Sequence, residues 1–128
     1  MMRWIALAGA FLGLTSVIIG AAGDHLLSGK LTPEIAHTFD VALRYHQLYA
    51  ILIFCLGLYG LKESFAKTYR CACLLFLGGI LIFSGSLYTS IWIDLGPLAF
   101  GTPVGGMMIM GGWVLAAASF LTKKQQHP

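Results

Sequence analysis

Residues 4–23 read WIALAGAFLGLTSVIIGAAG, twenty residues without a charged side chain. A helix rises 1.5 Å per residue, so about 20 apolar residues are long enough to cross the hydrocarbon core of a bilayer. Three further uncharged stretches follow along the chain, each bounded by charged residues. The sequence therefore predicts four transmembrane helices, with spans at about 4–23, 33–61, 71–93 and 103–122. In the second span the uncharged run is 45–61, and residues 33–44 form a more polar, interfacial start.

The composition is that of a membrane protein throughout. Of the 128 residues, 58% are hydrophobic and only 10% are charged, whereas soluble domains carry roughly 25% charged residues. No linker or soluble segment interrupts the pattern, so we expect residues 1–128 to form one all-α, four-helix membrane domain. A cleaved signal peptide is the alternative for the first span, because Gly20-Ala21-Ala22 resembles a cleavage site, but the apolar run is long for that role.

Basic residues predict the orientation of the bundle. With four spans, the N-terminus, the middle loop and the C-terminus lie on one side of the membrane. That side carries six basic residues, Arg3, Lys62, Lys67, Arg70, Lys123 and Lys124, while the other side carries Lys30 and Arg44. Because cytoplasmic loops are enriched in lysine and arginine, both termini are expected in the cytoplasm.

Helix starts are marked twice by a threonine followed by proline. Thr32-Pro33 and Thr102-Pro103 each place a hydroxyl at a candidate N-cap and a proline at the first helical position, where its missing N–H does no harm. The second and fourth helices are therefore predicted to start near these positions. Turn-forming residues fall between the third and fourth spans, namely Gly96, Pro97 and Gly101.

Small residues recur four apart on the predicted helices. Such stripes allow helix backbones to approach closely. The predicted packing residues are Gly9, Gly13, Gly20, Gly85, Gly105, Gly106 and Gly112. Packing within one bundle and packing between copies of the chain both fit this pattern, and the sequence leaves the two open.

Ionisable side chains of the outer side collect at the start of the second helix. His37, Asp40 and Arg44 share one helical face, and Asp40 and Arg44 have the spacing of an ion pair. The pattern predicts an amphipathic helix start at the membrane interface, with the Arg44 side chain extending to the headgroups.

A metal site is not indicated. His37 and His46 are nine residues apart and point in opposed directions on a helix. Cys71 and Cys73 lie two apart, on nearly opposite helical faces. A site that combines His25 with a group of the second helix stays open, but we expect no metal and no cofactor.

Polar residues of all four spans converge at one depth, in the outer half of the predicted bundle. Polar side chains in lipid usually face the protein interior or a cavity. One hypothesis is a structural cluster whose hydrogen bonds hold the helices in register. The other is a pocket for a lipid headgroup, a quinone-like molecule or a small solute. The candidate ligand-binding residues are His25, Tyr45, Ser86, Tyr88 and Thr102.

The two serines of the third span are expected to differ in direction. Residues two apart on a helix diverge by about 200°. We expect Ser86 to face the bundle interior with Tyr45 and His25 near it, because it shares a stripe with small and polar residues at helical spacing. We expect Ser84 to bond back to the carbonyl of Ile80, four residues earlier.

Three motifs carry a family resemblance. Residues 20–25 read GAAGDH, residues 83–88 read FSGSLY, and residues 102–106 read TPVGG, followed by Gly112-Trp113. In this order they resemble the motifs of the YgdD-like family of small bacterial inner-membrane proteins. It is a family of unknown function, to which a small eukaryotic transmembrane protein also looks related.

The resemblance covers nearly the whole chain, and Tyr45 resembles the family's tyrosine at the head of the second helix. Ala22 and Asp24 depart from the first motif, and Tyr49 stands where the family tends to have histidine. What the resemblance implies is a multi-pass protein of the bacterial inner membrane without an assigned activity.

Three classes of function remain to be compared. A non-catalytic binding, accessory or assembly protein fits best, because the loops are short and no intramembrane carboxylate marks an ion path. An oligomeric channel or transporter for a small solute is the alternative. A membrane enzyme fits least, because no catalytic motif is present. The expected partners are membrane lipid, a second copy of the chain, and a small molecule or lipid ligand, but no nucleic acid.

Overall fold

The structure, a computed structural model, describes residues 1–62 and 66–121. It contains four long α-helices, α1 (Met2–Leu26), α2 (Pro33–Lys62), α3 (Lys67–Ser90) and α4 (Gly101–Leu121), and a 3₁₀-helix (Gly96–Phe100) that precedes α4. All four α-helices are long and apolar enough to cross a membrane, the 3₁₀-helix extending the fourth. The predicted all-helical fold with four membrane-spanning helices is confirmed. Residue 122 of the predicted fourth span and Lys123 and Lys124 lie outside the described residues.

The two threonine-proline pairs behave differently. The backbone N–H of Ile35 donates to the Thr32 hydroxyl at 3.2 Å, so Thr32 caps α2 as expected. Thr102, in contrast, lies inside α4, because the 3₁₀-helix runs directly into α4 at Gly101. The chain is already helical before Gly101, so the first turn of α4 follows another turn and needs no capping side chain. The expectation that Thr102 caps α4 is therefore wrong.

Helices α1 and α2 pack as an antiparallel pair through glycines. A Cβ atom on Gly9 would lie 2.6 Å from the Cα of Phe54, and one on Gly57 would lie 2.6 Å from the Cα of Ala6. Only glycine allows the two backbones to approach this closely. The register that follows places Tyr49 opposite residues 13–14, the middle of the uncharged stretch 4–23.

Helices α3 and α4 form a second antiparallel pair of the same kind. A Cβ atom on Gly105 would lie 2.6 Å from the backbone nitrogen of Phe83, and one on Gly112 would lie 2.8 Å from the ring of Phe76. The two pairs are joined by contact between α2 and α3, with a shorter contact between α1 and α3. The side chains buried most completely lie along these contacts, namely Ile53, Tyr69, Cys73, Phe76 and Ile80.

The bundle is open on one side. Helix α4 packs along α3 and the 3₁₀-helix, and its backbone nowhere comes close to α2 or α1 within the described residues. A closed four-helix bundle would bring the fourth helix back against a second neighbour. The part of α3 between α2 and α4, which carries Phe76 and Phe83, therefore forms the floor of a lateral opening.

Candidate functional site

A buried histidine joins three helices. The imidazole of His46 on α2 is 5% exposed. Its Nε2 lies 3.3 Å from the hydroxyl of Thr15 on α1, and its Nδ1 lies 3.1 Å from the hydroxyl of Tyr88 on α3. Both ring nitrogens therefore have a hydroxyl partner on a different helix. We call Thr15, His46 and Tyr88 the histidine joint.

One set of hydrogen-bond directions satisfies the whole histidine joint. The Thr15 hydroxyl lies 3.1 and 3.0 Å from the carbonyls of Phe11 and Leu12, either of which can accept its single hydrogen. In the Nε2–H tautomer of His46, the Thr15 oxygen accepts from Nε2–H. In the neutral ring Nδ1 then accepts from the Tyr88 hydroxyl. The neutral Nε2–H tautomer satisfies every group in the joint.

Ser84 lies beside the histidine joint. Its hydroxyl donates to the backbone carbonyl of Ala42 on α2 at 2.9 Å, and its side chain is buried. The expected bond from Ser84 to the carbonyl of Ile80 is therefore wrong. Position 84 faces α2, so the hydroxyl finds a carbonyl on the neighbouring helix instead of one on its own.

Ser86 and Thr102 meet on the other flank of α3. Ser86 donates to the carbonyl of Phe83 at 2.9 Å, and its oxygen lies 2.6 Å from the Thr102 hydroxyl. Either hydroxyl can be the donor of the bond between Ser86 and Thr102. The pair fastens the start of α4 to α3, and both residues are half-buried.

Aromatic side chains line the lateral opening. The Tyr45 ring packs on Phe83 and stacks on Tyr49, with centroids 4.8 and 6.2 Å apart. The Trp113 indole on α4 donates to the Tyr49 hydroxyl at 2.9 Å. Tyr45 is 38% exposed and Trp113 is 51% exposed. We call Tyr45, Tyr49, Phe83 and Trp113 the aromatic face.

The five candidate ligand-binding residues do not form one cluster. Tyr88 belongs to the histidine joint, Tyr45 to the aromatic face, and Ser86 and Thr102 to the contact between α3 and α4. His25 is exposed near the end of α1, and its side chain makes no hydrogen bond with any described residue. The expected proximity of His25, Tyr45 and Ser86 is thus not found, because Tyr45 packs on Phe83, Ser86 bonds Thr102 of α4, and the His25 side chain is exposed.

His46 and Thr15 are functional candidates that the sequence did not single out. The signal for His46 was present in its spacing, because it follows Ala42 by four residues and precedes Tyr49 and Ile53 by three and seven. These positions form the buried stripe of α2. Thr15 carried no comparable signal, since it sits on an apolar helix whose rotation the sequence leaves undetermined.

The predicted packing glycines divide into two groups. Gly9, Gly105 and Gly112 lie at the closest helix contacts, and Gly20 lies at ordinary contact distance from Leu43. Gly106 touches only the Phe83 ring at 3.9 Å, and Gly13 and Gly85 have nothing within 4 Å of where a Cβ would be. For Gly13 and Gly85, packing within the bundle is therefore not observed.

Gly13 opens instead onto a lateral groove between α1 and α2. The groove has a volume of about 260 Å³ and is lined by apolar groups of Gly9, Ala10, Gly13, Ala50, Ile51 and Phe54. It lies near the middle of the apolar thickness, on a different side of the bundle from the aromatic face. No group of three or more potential metal ligands occurs among the residues that the structure describes.

The ion pair predicted at the start of α2 is present. The Arg44 guanidinium lies 2.6 Å from the Asp40 carboxylate, and both side chains are exposed. Exposed pairs of this kind contribute little to stability. The pair marks one boundary of the apolar region of α2, seven residues before Ile51 at the groove.

Comparison with known proteins points to one family. The model of a family described as "Protein of unknown function (DUF423)" matches residues 19–106. The UPF0382 membrane protein YwdK of Bacillus subtilis is 30% identical over 94% of this chain and all of its own length. A UPF0382 membrane protein of Haemophilus influenzae is 33% identical over 93% of this chain and 92% of its own.

The inner membrane protein YgdD of Escherichia coli K12 is 30% identical over 97% of this chain and 94% of its own length. No solved structure matches the chain. The relatives confirm the resemblance that the three motifs carried and the predicted inner-membrane location. The chain is an integral membrane protein and belongs to the DUF423 family of proteins of unknown function.

Proposed function

We propose that this protein is a non-catalytic binding or accessory protein that receives an apolar membrane molecule at its aromatic face. The observation that carries the proposal is the exposure of Trp113 near the middle of the apolar thickness. Trp113 bonds Tyr49, and Tyr49 lies opposite residues 13–14. Tryptophan and tyrosine normally occupy the membrane–water interface. Because its N–H is already bonded to Tyr49, the exposed indole presents a ring face at this depth, on which a flat apolar molecule can stack.

The architecture supports lateral access to this face. The backbone of α4 packs on α3 and the 3₁₀-helix but not on α2, so Tyr45 and Trp113 can be reached from the bilayer without any helix moving aside. Phe83 closes the floor, and Gly106 presents no side chain toward the Phe83 ring. Ring stacking and edge contacts are the interactions that such a surface offers. An apolar molecule with a flat ring system is the ligand class that fits.

A native mass spectrum from mild detergent tests the proposal. We expect the wild-type protein to retain a small membrane molecule and Tyr45→Ala to lose it. Phe11→Ala is the matched control, because Phe11 is also an exposed aromatic residue but lies on α1. Wild-type protein without a bound molecule, or equal loss in both variants, would contradict the proposal.

An oligomeric channel or transporter is the second candidate. Gly13 favours it, because its open backbone and the adjoining groove give a second copy of the chain a surface to approach. Solute flux through liposomes that contain the purified protein separates the two functions. A binding protein should give no flux above empty liposomes.

We also propose that both termini face the cytoplasm. The support is the bias of basic residues, with Arg3, Lys62, Lys67 and Arg70 at one end of the described bundle. The start of α1 and the end of α2 lie together at that end, since Met2 packs over Gly60. Residues 63–65 and 122–128, which include part of the middle loop and the C-terminus, lie outside the described residues.

A further inference from the structure

The charged residues of the described chain are separated between the two ends of the bundle. The acidic residues that the structure describes, Asp24, Glu34, Asp40 and Asp94, all lie at the end where α1 finishes and α2 begins. The opposite end carries four exposed basic residues, Arg3, Lys62, Lys67 and Arg70. We call these four residues the basic end. Glu63, the fifth acidic residue of the sequence, lies outside the described residues.

The basic end has no counter-charge within the described protein. The ion pair that the described residues contain, between Asp40 and Arg44, lies at the other end. Lys30, also at that other end, lies over the ring of Trp92 at 5.0 Å. The cations of the basic end are exposed and form no salt bridge with any acidic group that the structure describes.

Helix packing places the cations of the basic end at one level of the bundle. The Met2 side chain lies against Gly60, which sets Arg3 at the level of the last turn of α2, the turn that carries Lys62. The Tyr69 hydroxyl donates to the carbonyl of Leu56 at 2.7 Å, which holds the first turn of α3 against the same part of α2. Lys67 and Arg70 flank Tyr69 on that turn. Three helices therefore present basic side chains at one level.

Two exposed aromatic side chains, Trp4 and Tyr59, lie next to these cations, one step closer to the middle of the bundle; we call them the aromatic level. Trp4 is 67% exposed, and the Arg3 guanidinium lies 5.7 Å from the centre of its ring. The register of α1 with α2 puts Tyr59, also exposed, at the depth of Trp4. Exposed tryptophan and tyrosine mark the headgroup level of a membrane. The cations thus lie where lipid phosphates lie, and not in the surrounding water.

We propose that the basic end binds the headgroups of anionic phospholipids, with Arg3, Lys62, Lys67 and Arg70 contacting lipid phosphates and Trp4 seated among the glycerol groups. The charge complementarity and the aromatic level carry this inference. It does not depend on a ligand at the aromatic face. Guanidinium groups pair with phosphate oxygens in a bidentate manner, so Arg3 and Arg70 are the residues that hold the phosphates most directly.

Lipid titration of the full-length protein tests the proposal. Dioleoylphosphatidylglycerol and dioleoylphosphatidylcholine are added separately to protein in neutral detergent, and bound lipid is counted by native mass spectrometry. We expect phosphatidylglycerol to bind in preference to phosphatidylcholine, and Arg3→Gln and Arg70→Gln each to weaken it roughly fivefold. Lys30→Gln removes a cation at the opposite end and should leave the affinity unchanged. Raised salt should reduce the preference.

Three results would overturn the proposal: equal binding of both lipids, equal weakening by Lys30→Gln, or full competition by inorganic phosphate, which would indicate a general anion site. If a glutamine variant unfolds, Arg3→Lys and Arg70→Lys keep the charge. Each lysine variant should bind phosphatidylglycerol more weakly than the wild-type protein does. Each should still bind phosphatidylglycerol more tightly than it binds phosphatidylcholine. Tyr45→Ala should leave this preference intact, so failure here is distinguishable from failure of the proposed function.

Discussion

The Trp113 indole donates a hydrogen bond to the Tyr49 hydroxyl over 2.9 Å and thereby links α4 to α2 across the open side of the bundle. The backbones of these two helices stay apart within the described residues. Phe76 of α3 lies between them, with its ring centroid 5.2 Å from that of Trp113. The bond therefore adds a side-chain link between α2 and α4 to the contact that each helix makes with α3.

Trp113→Phe should weaken the attachment of α4 while keeping an aromatic ring on Phe76. The lost hydrogen bond should lower the free energy of unfolding by about 1 kcal/mol. Tyr49→Phe should have a similar effect, and the double variant should cost little more than either single one. Unfolding in a detergent titration measures all three. Trp92→Phe, two residues beyond the end of α3, is the control, and an equal loss there would contradict the role of the bond.

The four helices could be predicted from the sequence because charge spacing alone determines where a chain can lie in lipid. The cap at Thr32 also followed, because a threonine before proline favours one local geometry. The choice between Ser84 and Ser86 did not follow. In an apolar helix, the face that meets a neighbour depends on the packing of the whole bundle, and two residues 200° apart exchange roles on rotation.

The histidine joint shows the same limit. His46 could be placed on the buried stripe of α2 by spacing, but its partners come from α1 and α3, more than 30 residues away on either side. The sequence predicts how deep Tyr88 and Thr15 lie along their helices, but it does not predict which neighbouring helix each side chain faces. The openness of the bundle was also beyond the sequence, since short loops are compatible with α4 on either side of α3.

His46→Ala should destabilise the protein strongly. The change removes a buried ring and leaves the hydroxyl of Tyr88 without its acceptor in an apolar surrounding. A loss of about 2 kcal/mol or more in the free energy of unfolding is expected. His25→Ala should change it by less than about 0.5 kcal/mol, because His25 is exposed. Equal melting temperatures for the two variants would show that the histidine joint contributes nothing.

Tyr88→Phe should distinguish what the Tyr88 hydroxyl contributes to stability from what the Tyr88 ring contributes. The variant keeps the packing on Phe39 and removes the donor to Nδ1 of His46. A loss of about 1 kcal/mol is expected. In ¹⁵N spectra of histidine-labelled protein, the Nδ1 signal of His46 should shift, and the Nε2–H signal should remain. Tyr45→Phe, on the aromatic face, should leave both His46 signals in place; a shift there would mean that the two sets are coupled.

The orientation of the bundle can be tested with fusion reporters. A reporter that requires the periplasm should be inactive when fused within residues 62–70 and active when fused after Asp94. The physical reason is the excess of basic residues at the end formed by the start of α1 and the finish of α2. A cytoplasmic reporter at the same two sites is the control and should show the opposite pattern. The reverse outcome would invert the orientation of the basic end.

Gly9 and Gly13, four residues apart on α1, should respond to substitution in opposite ways. A Cβ on Gly9 would meet the backbone of Phe54, which cannot move aside, so Gly9→Ala should force α1 from α2 and lower the free energy of unfolding by about 1–3 kcal/mol. Gly13 has nothing within 4 Å inside its own chain, so Gly13→Ala should be neutral or slightly stabilising in a helix.

Gly13→Leu then distinguishes packing between copies from contact with lipid. If a second copy lies against the groove between α1 and α2, the leucine should fill the space at Gly13 and reduce the apparent mass in size-exclusion chromatography, while the helix content stays unchanged. If that surface meets lipid, the elution volume and melting temperature should equal those of wild type. Gly85→Leu, whose glycine is equally open but lies on α3, is the control, and a change common to both variants would reflect a general effect of bulk on the helices.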